Sequence, residues 1–342
     1  MRSGRKRVLL LPPSGLHPDA RALLAREVDL VDGSTLDAHG LEAALGEAHG
    51  LIGRVSADHL ARASALEVIG IPGSGWDHVD VAGATERGVL VVNAAGAQHS
   101  AVAEHAVGLM LSLAKRIAAS DRIFHAEGRF VGREHFTGDG WPGWPHEIGG
   151  KTIGIVGFGF VGRDLARKCR LAFDMRVLAH DPFFDPDEMA RLGVEPVRAI
   201  QDMLPQCDFV SLHVPLTDAT RHLIGEAELR VMRPTAYLLN LARGGVVDED
   251  ALLRALRDGW IAGAGLDVFA DEPGPDGHPL YTLDNVVCTA HIGGWVEEAV
   301  PRLATVMARE MLTALRGERP WRLVNPAAWE RRRSSARPTG TT

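Results

Sequence analysis

Residues 150–162 read GKTIGIVGFGFVG, and RDLARKCRL follows at 163–171. The apolar run Thr152–Val156 predicts a strand, and Arg163–Leu171 predicts a helix. The turn between them, Gly157-Phe158-Gly159-Phe160-Val161-Gly162, has the GxGxxG spacing of a dinucleotide site. Gly157 and Gly159 let the backbone turn and approach a pyrophosphate, and Gly162 lets helix and strand pack closely. The first amides of the helix then face the phosphates. Asp181 ends the next strand candidate, 19 residues beyond Gly162. A carboxylate there accepts hydrogen bonds from the adenosine ribose hydroxyls. Its charge repels a 2′-phosphate, and Pro182-Phe183-Phe184 offers no arginine to receive one. NAD is therefore expected rather than NADP.

The pattern around this stretch is α/β throughout. Upstream, strand candidates VLLL (8–11), VDLV (28–31), GLIG (50–53), LEVIGI (66–71) and VLVVN (89–93) alternate with helical segments. Downstream come RVLAH (176–180), DFVSLHV (208–214), AYLLNLA (236–242), AGAGLDV (262–268) and NVVCTAH (285–291). Such alternation predicts parallel sheets with helices on both faces, here two doubly wound domains in series. The expected division is residues 1–100 plus 296–326 in one domain and 101–295 in the other. Residues 100–127 read as one long apolar helix, covered by a dimer partner or by packing between the domains. Residues 128–150, with Trp141-Pro142-Gly143-Trp144-Pro145, read as loop. A helix is expected from about Val296 to Leu315, with Pro301 in its first turn or at a kink. The tail 327–342 reads as disordered.

The chain has 342 residues, 46% hydrophobic and 24% charged, which suits a globular protein with two cores. The net charge of −7 argues against nucleic acid as a partner. The basic run Arg2, Arg5, Lys6, Arg7 reads as a local solvated arm. Cys169, Cys207 and Cys288 lack CxxC or metal-ligand spacing, so they read as small buried packing residues in a reducing compartment, with no metal. The apolar run Val8–Leu11 stops at Pro12-Pro13, too short for a secretory core. No stretch approaches a membrane span, and the cytoplasm is the expected location.

Four segments end or just pass the carboxyl ends of predicted strands, where open α/β sheets bind ligands. They carry Val214-Pro215, Arg243, Asp267 and His291. The Arg243 fork can hold a carboxylate and polarise a neighbouring carbonyl. His291 can donate a proton to that oxygen and take it back. A carboxylate behind the imidazole would fix its tautomer and favour the protonated ring. Asp271 and Glu272 compete for that role. Together these groups suggest hydride transfer to or from an acid with an oxygen next to its carboxyl group.

The combination VAEH (102–105), GKTIGIVGFGFVG (150–162), LHVPLTDAT (212–220), NLARGGVVDEDAL (240–252), GLDVFADEP (265–273) and TAHIGG (289–294) resembles the D-isomer-specific 2-hydroxyacid dehydrogenase family. The resemblance implies a flavodoxin-like substrate domain and a Rossmann NAD-binding domain, assembled as a homodimer. It selects Glu272 over Asp271, giving Arg243, Glu272 and His291 as catalytic residues. It implies cofactor contacts at Phe160, Val161, Asp181, Val214, Pro215, Thr220, Leu241, Ala242 and Asp267, the last at the nicotinamide carboxamide. It also implies that Ser74 and Gly75 bind the substrate carboxylate through their backbone.

The sequence departs from the family pattern at Ala290, where proline is common, and at Asn93-Ala94-Ala95-Gly96-Ala97-Gln98, where Asn-x-Pro-Gly-x-Asn is usual. Trp76 and Trp295 flank the expected pocket, as limits on substrate size or as packing residues. Alternative activities within the resemblance are phosphite oxidation, or NAD sensing by a corepressor-like binding protein. Formate oxidation fits less well, because that branch usually has glutamine where Glu272 stands.

Overall fold

The computed structural model describes residues 4–13, 15–130, 132 and 144–335. Arg2 of the expected basic arm, Trp141-Pro142-Gly143 of the expected loop, and residues 336–342 of the tail lie outside them. The chain divides into two compact units, Met1–Gln98 with Glu297–Thr342, and His99–Val296.

The first unit contains β1 (Arg7–Leu10), β2 (Asp29–Asp32), β3 (Gly50–Ile52), β4 (Val68–Gly70) and β5 (Leu90–Val92). They form a parallel sheet in the order β2-β1-β3-β4-β5. This is the flavodoxin-like order, with its reversal between β1 and β3. Apolar runs can fill such strands because helices cover both faces. The helix Ala299–Leu315 is one cover, and Pro301 stands in its first turn, where a missing N–H costs nothing. It buries Leu303, Met307, Met311 and Leu312, each contributing roughly 1.5–3 kcal/mol.

After this helix the chain returns beside β5. The Val324 amide donates to the Val91 carbonyl at 2.8 Å, and Asn325 Oδ1 accepts from the Val91 amide at 2.8 Å. The tail expected to be disordered instead begins with the helix Pro326–Ser335. Ala328 is fully buried, Trp329 packs against the core, and Arg332 Nε donates to the Gly88 carbonyl at 2.7 Å. Those contacts order a segment whose composition is polar.

The second unit contains β6 (Thr152–Val156), β7 (Arg176–His180), β8 (Glu195–Pro196), β9 (Phe209–Leu212), β10 (Tyr237–Asn240), β11 (Gly263–Leu266) and β12 (Val286–Cys288). The parallel order is β12-β11-β10-β9-β6-β7-β8. Strand order reverses at β6, which pairs with both β7 and β9, so the Rossmann switch point lies beside the glycine-rich turn. The two-residue, exposed β8 leaves no apolar signal in the sequence.

The long helix expected over residues 100–127 is two helices, His99–Ala114 and Ile117–Glu127. Arg116 adopts φ 59° between them. Val102, Ala106, Leu109 and Leu113 are buried as their spacing predicts, but Ile117 is 56% exposed. The first helix packs on Phe160–Phe173 and on β10, β11 and β12. Its buried face is therefore covered within its own unit. Among the described residues no helix is long and apolar enough to cross a membrane. Cys169 and Cys207 are buried, but Cys288 is exposed, against expectation, because β12 is the edge strand.

Candidate active site

All the expected cofactor-binding and catalytic residues lie in the second unit, in segments that follow the carboxyl ends of its strands, with Phe160, Val161 and Gly162 in the first turn of the helix Phe160–Phe173. The glycine turn follows β6. A Cβ on Gly162 would fall 2.2 Å from the Gly157 carbonyl oxygen, so helix and turn touch. A Cβ on Gly159 would meet nothing within 4 Å. Gly159 caps the helix Phe160–Phe173 without a side-chain hydrogen bond, and a helix's first amides lack intrahelical partners. That open, uncapped helix start fits a pyrophosphate. Asp181 follows β7. Its carboxylate accepts from the Phe158 amide at 2.8 Å and the Phe183 amide at 2.9 Å. The remaining lone pairs can accept ribose hydroxyls. These residues fit a dinucleotide cofactor.

From the glycine turn, a series of backbone contacts runs across the strand ends. Gly157 has φ +93°, and a Cβ there would fall 2.6 Å from the His213 carbonyl oxygen and 3.0 Å from Val214 Cγ1. Burial pushes the His213 imidazole down to about 3, so the ring is neutral, with Nε2 2.8 Å from Ser211 Oγ. Pro215 O accepts from Thr220 Oγ1 at 2.6 Å, which closes the loop after β9. Leu216 packs on Gly245, in the turn after β10.

That next turn presents Arg243. Buried Asn240 shapes it: Oδ1 accepts from the Ala242 amide at 3.1 Å, and Nδ2 donates to the Arg243 carbonyl at 3.0 Å. Leu241 and Ala242 are buried, while Arg243 is half-buried with Nη1 donating to the Ala242 carbonyl at 2.7 Å. A Cβ on Gly244 would fall 1.9 Å from the Phe269 carbonyl carbon. Only glycine lets the two backbones meet there, and the Phe269 segment leads directly to Glu272.

Glu272 Oε1 accepts from the Phe269 amide at 2.9 Å, and Oε2 lies 2.6 Å from His291 Nδ1. Of the two candidate carboxylates, Glu272 is the one at the imidazole. An ionised carboxylate only accepts, so Nδ1 carries hydrogen and Nε2 is left to exchange a proton. The pair is partly exposed, with side-chain accessibilities of 48% for His291 and 35% for Glu272.

His291 adopts φ 55°, an unfavourable region for a side chain with Cβ. Asp267, 3% exposed, holds it there. The Asp267 carbonyl accepts from the His291 amide at 2.8 Å. Its carboxylate accepts from Thr289 Oγ1 at 2.6 Å and from the Ile292 and Gly293 amides at 2.9 Å. Sequence reasoning missed this clamp, together with His105, whose Nε2 lies 2.9 Å from Thr289 Oγ1 across 184 residues of sequence. It also missed Glu249, whose Oε1 accepts from the Ala270 amide at 2.7 Å and steadies the Glu272 loop.

Ser74 and Gly75 belong to the first unit. Asn93 Nδ2 donates to the Ser74 carbonyl at 2.8 Å, and Gln98 Nε2 lies 3.1 Å from Ser74 Oγ. The departing segment Asn93–Gln98 thus braces the loop expected to bind substrate. Trp76 packs against the first unit's core, while Trp295 is 69% exposed. Among the described residues no three metal-ligating side chains gather.

A family model for the NAD binding domain of D-isomer specific 2-hydroxyacid dehydrogenases matches residues 107–293. The chain is 38% identical over 324 residues to a D-3-phosphoglycerate dehydrogenase of Methanocaldococcus jannaschii, covering 93% of this chain and 59% of that protein. It is 41% identical over 281 residues to a glyoxylate reductase of Thermofilum pendens, covering 80% of this chain and 79% of that one. The holo D-mandelate dehydrogenase of Rhodotorula graminis superposes with a TM-score of 0.83 at 28% identity, over 94% of this chain and 97% of that chain. The match runs through the glycine turn, the Arg243 turn and the Glu272–His291 pair alike, and the chain belongs to the D-isomer specific 2-hydroxyacid dehydrogenase family.

Proposed function

We propose that the protein is an NAD-dependent D-2-hydroxyacid dehydrogenase that interconverts a 2-oxoacid and its 2-hydroxyacid. The observation that carries this reading is the 2.6 Å contact between Glu272 Oε2 and His291 Nδ1, in the same unit as the glycine turn. Bound NADH supplies the hydride. The Arg243 guanidinium holds the substrate carboxylate and polarises the adjacent carbonyl. Nε2 of protonated His291 gives its proton to the carbonyl oxygen, and Glu272 stabilises the charged ring before transfer. Oxidation reverses these steps. The Ser74 and Gly75 backbone contributes to carboxylate binding.

On the cofactor side, Gly157, Gly159, Phe160, Val161 and Gly162 take the phosphates, and Asp181 takes the ribose. Val214, Pro215, Thr220, Leu241 and Ala242 line the remainder. Asp267 meets the carboxamide with the acceptor capacity left after its three donors. The reading includes a homodimer, supported by exposed Ile117, Phe130 and Trp144, and a cytoplasmic location.

The names of the relatives favour glyoxylate and phosphoglycerate-type acids as first substrates to try. The test is a panel of 2-oxoacids with NADH, and of phosphite and formate with NAD, followed by NADH absorbance. Turnover of 2-oxoacids supports the reading. Turnover of phosphite alone moves the chemistry to phosphite oxidation. No turnover at all, with an NAD-dependent protein partner in a pulldown, replaces the enzyme by a sensor.

A further inference from the structure

We propose that His105 is a positioning residue for His291, acting through Thr289 and the Asp267 carboxylate. The inference rests on the reading of His291 as the proton donor. His105 stands on the helix His99–Ala114, within the second unit, with its side chain 22% exposed. Its Nε2 lies 2.9 Å from Thr289 Oγ1 and 3.5 Å from Asp267 Oδ1. The Thr289 hydroxyl has one proton, and it donates that proton to Asp267 Oδ1 at 2.6 Å. The proton between His105 and Thr289 therefore belongs to His105 Nε2. The direction of donation is fixed from the helix inward: imidazole to hydroxyl, hydroxyl to carboxylate.

The carboxylate at the end of this series shapes the turn that carries His291. Asp267 also accepts from the Ile292 and Gly293 amides, and its backbone carbonyl accepts from the His291 amide. These bonds flank His291 on both sides and hold it at φ 55°. The helix presses directly on this turn: a Cβ on Gly293 would fall 2.9 Å from Asp267 Oδ2 and 3.3 Å from His105 Cδ2. Without the His105 donor, Thr289 is held from the Asp267 side alone, and the turn loses its tie to the helix. Proton transfer is sensitive to small displacements of the donor, so the loss should appear in turnover rather than in cofactor binding.

The test compares His105→Leu, His105→Gln, Thr289→Val and His291→Ala, by steady-state kinetics on the best substrate of the panel and by NADH titration. His105→Leu should lower kcat about ten-fold, with KM and the NADH Kd within about two-fold of wild type. His105→Gln has an amide donor for Thr289 and should restore most of the turnover. Thr289→Val breaks the same link from the other side and should match the leucine variant, including where His105→Leu fails to fold. Unchanged kcat in Thr289→Val, or equal behaviour of the leucine and glutamine variants, overturns the inference. If His291→Ala retains turnover, the underlying reading fails. If His291→Ala abolishes turnover while His105→Leu keeps wild-type kcat, only the role of His105 fails.

Discussion

Two carboxylates of the second unit serve one imidazole in different ways. Asp267 is buried, and its oxygens accept from a hydroxyl and two backbone amides. Glu272 is part exposed, with one oxygen on the Phe269 amide and the other on His291 Nδ1. The first fixes backbone geometry, where a missing acceptor would strand buried donors. The second touches the ring itself, at Nδ1. On the proposed reading, such a site separates shape from chemistry: one carboxylate holds the turn and the other serves the proton transfer.

The largest expected effect lies at the imidazole. His291→Ala should lower turnover by a factor of about 100 or more while NADH titration stays near wild type. The two carboxylates should then part company. Glu272→Gln should reduce kcat about 10- to 100-fold with little change in melting temperature. Asp267→Asn turns an acceptor into a donor beside buried amides and should cost about 1–3 kcal/mol of stability as well as activity. Equal melting temperatures for these two variants in calorimetry would erase the distinction between them.

A smaller effect is expected beside the turn. Trp295 follows His291 closely and is exposed in its own unit, so Trp295→Ala should shift preference toward larger 2-oxoacids. An unchanged substrate profile would assign it no part in specificity. A separate effect concerns pH. Burial lowers the His213 imidazole from an ordinary 6.5 to about 3. Between those values the unfolded chain binds a proton that the folded chain does not. Stability present above 6.5 is therefore lost as pH falls toward about 3, at up to about 1.4 kcal/mol per pH unit. His213→Gln should flatten that slope by one proton in denaturant titrations.

The sheets were legible in the sequence because buried parallel strands must be apolar runs, and Thr152–Val156 or Phe209–Leu212 allow little else. The break at Arg116 was not, since a left-handed residue between two helical segments leaves the apolar spacing nearly intact. The helix Pro326–Ser335 was hidden for the opposite reason: its composition is polar, and its order comes from contacts with Gly88 and the first unit's core. Within the site, the residue types of Arg243 and His291 were enough to suggest the proposed chemistry. The choice of Glu272 over Asp271 needed the family pattern, because loop phase decides it. The second role of Asp267 and the reach of His105 were invisible, since both depend on which segments meet in space.

The most direct test of the account is a crystal structure of the complex with NADH and an unreactive 2-oxoacid analogue. The account predicts His291 Nε2 at about 2.6–3.2 Å from the oxygen that stands for the reacting carbonyl, with the Arg243 fork on the carboxylate and Glu272 still on Nδ1. An imidazole well away from both the nicotinamide and the analogue, in a complex with both ligands fully bound, would contradict it.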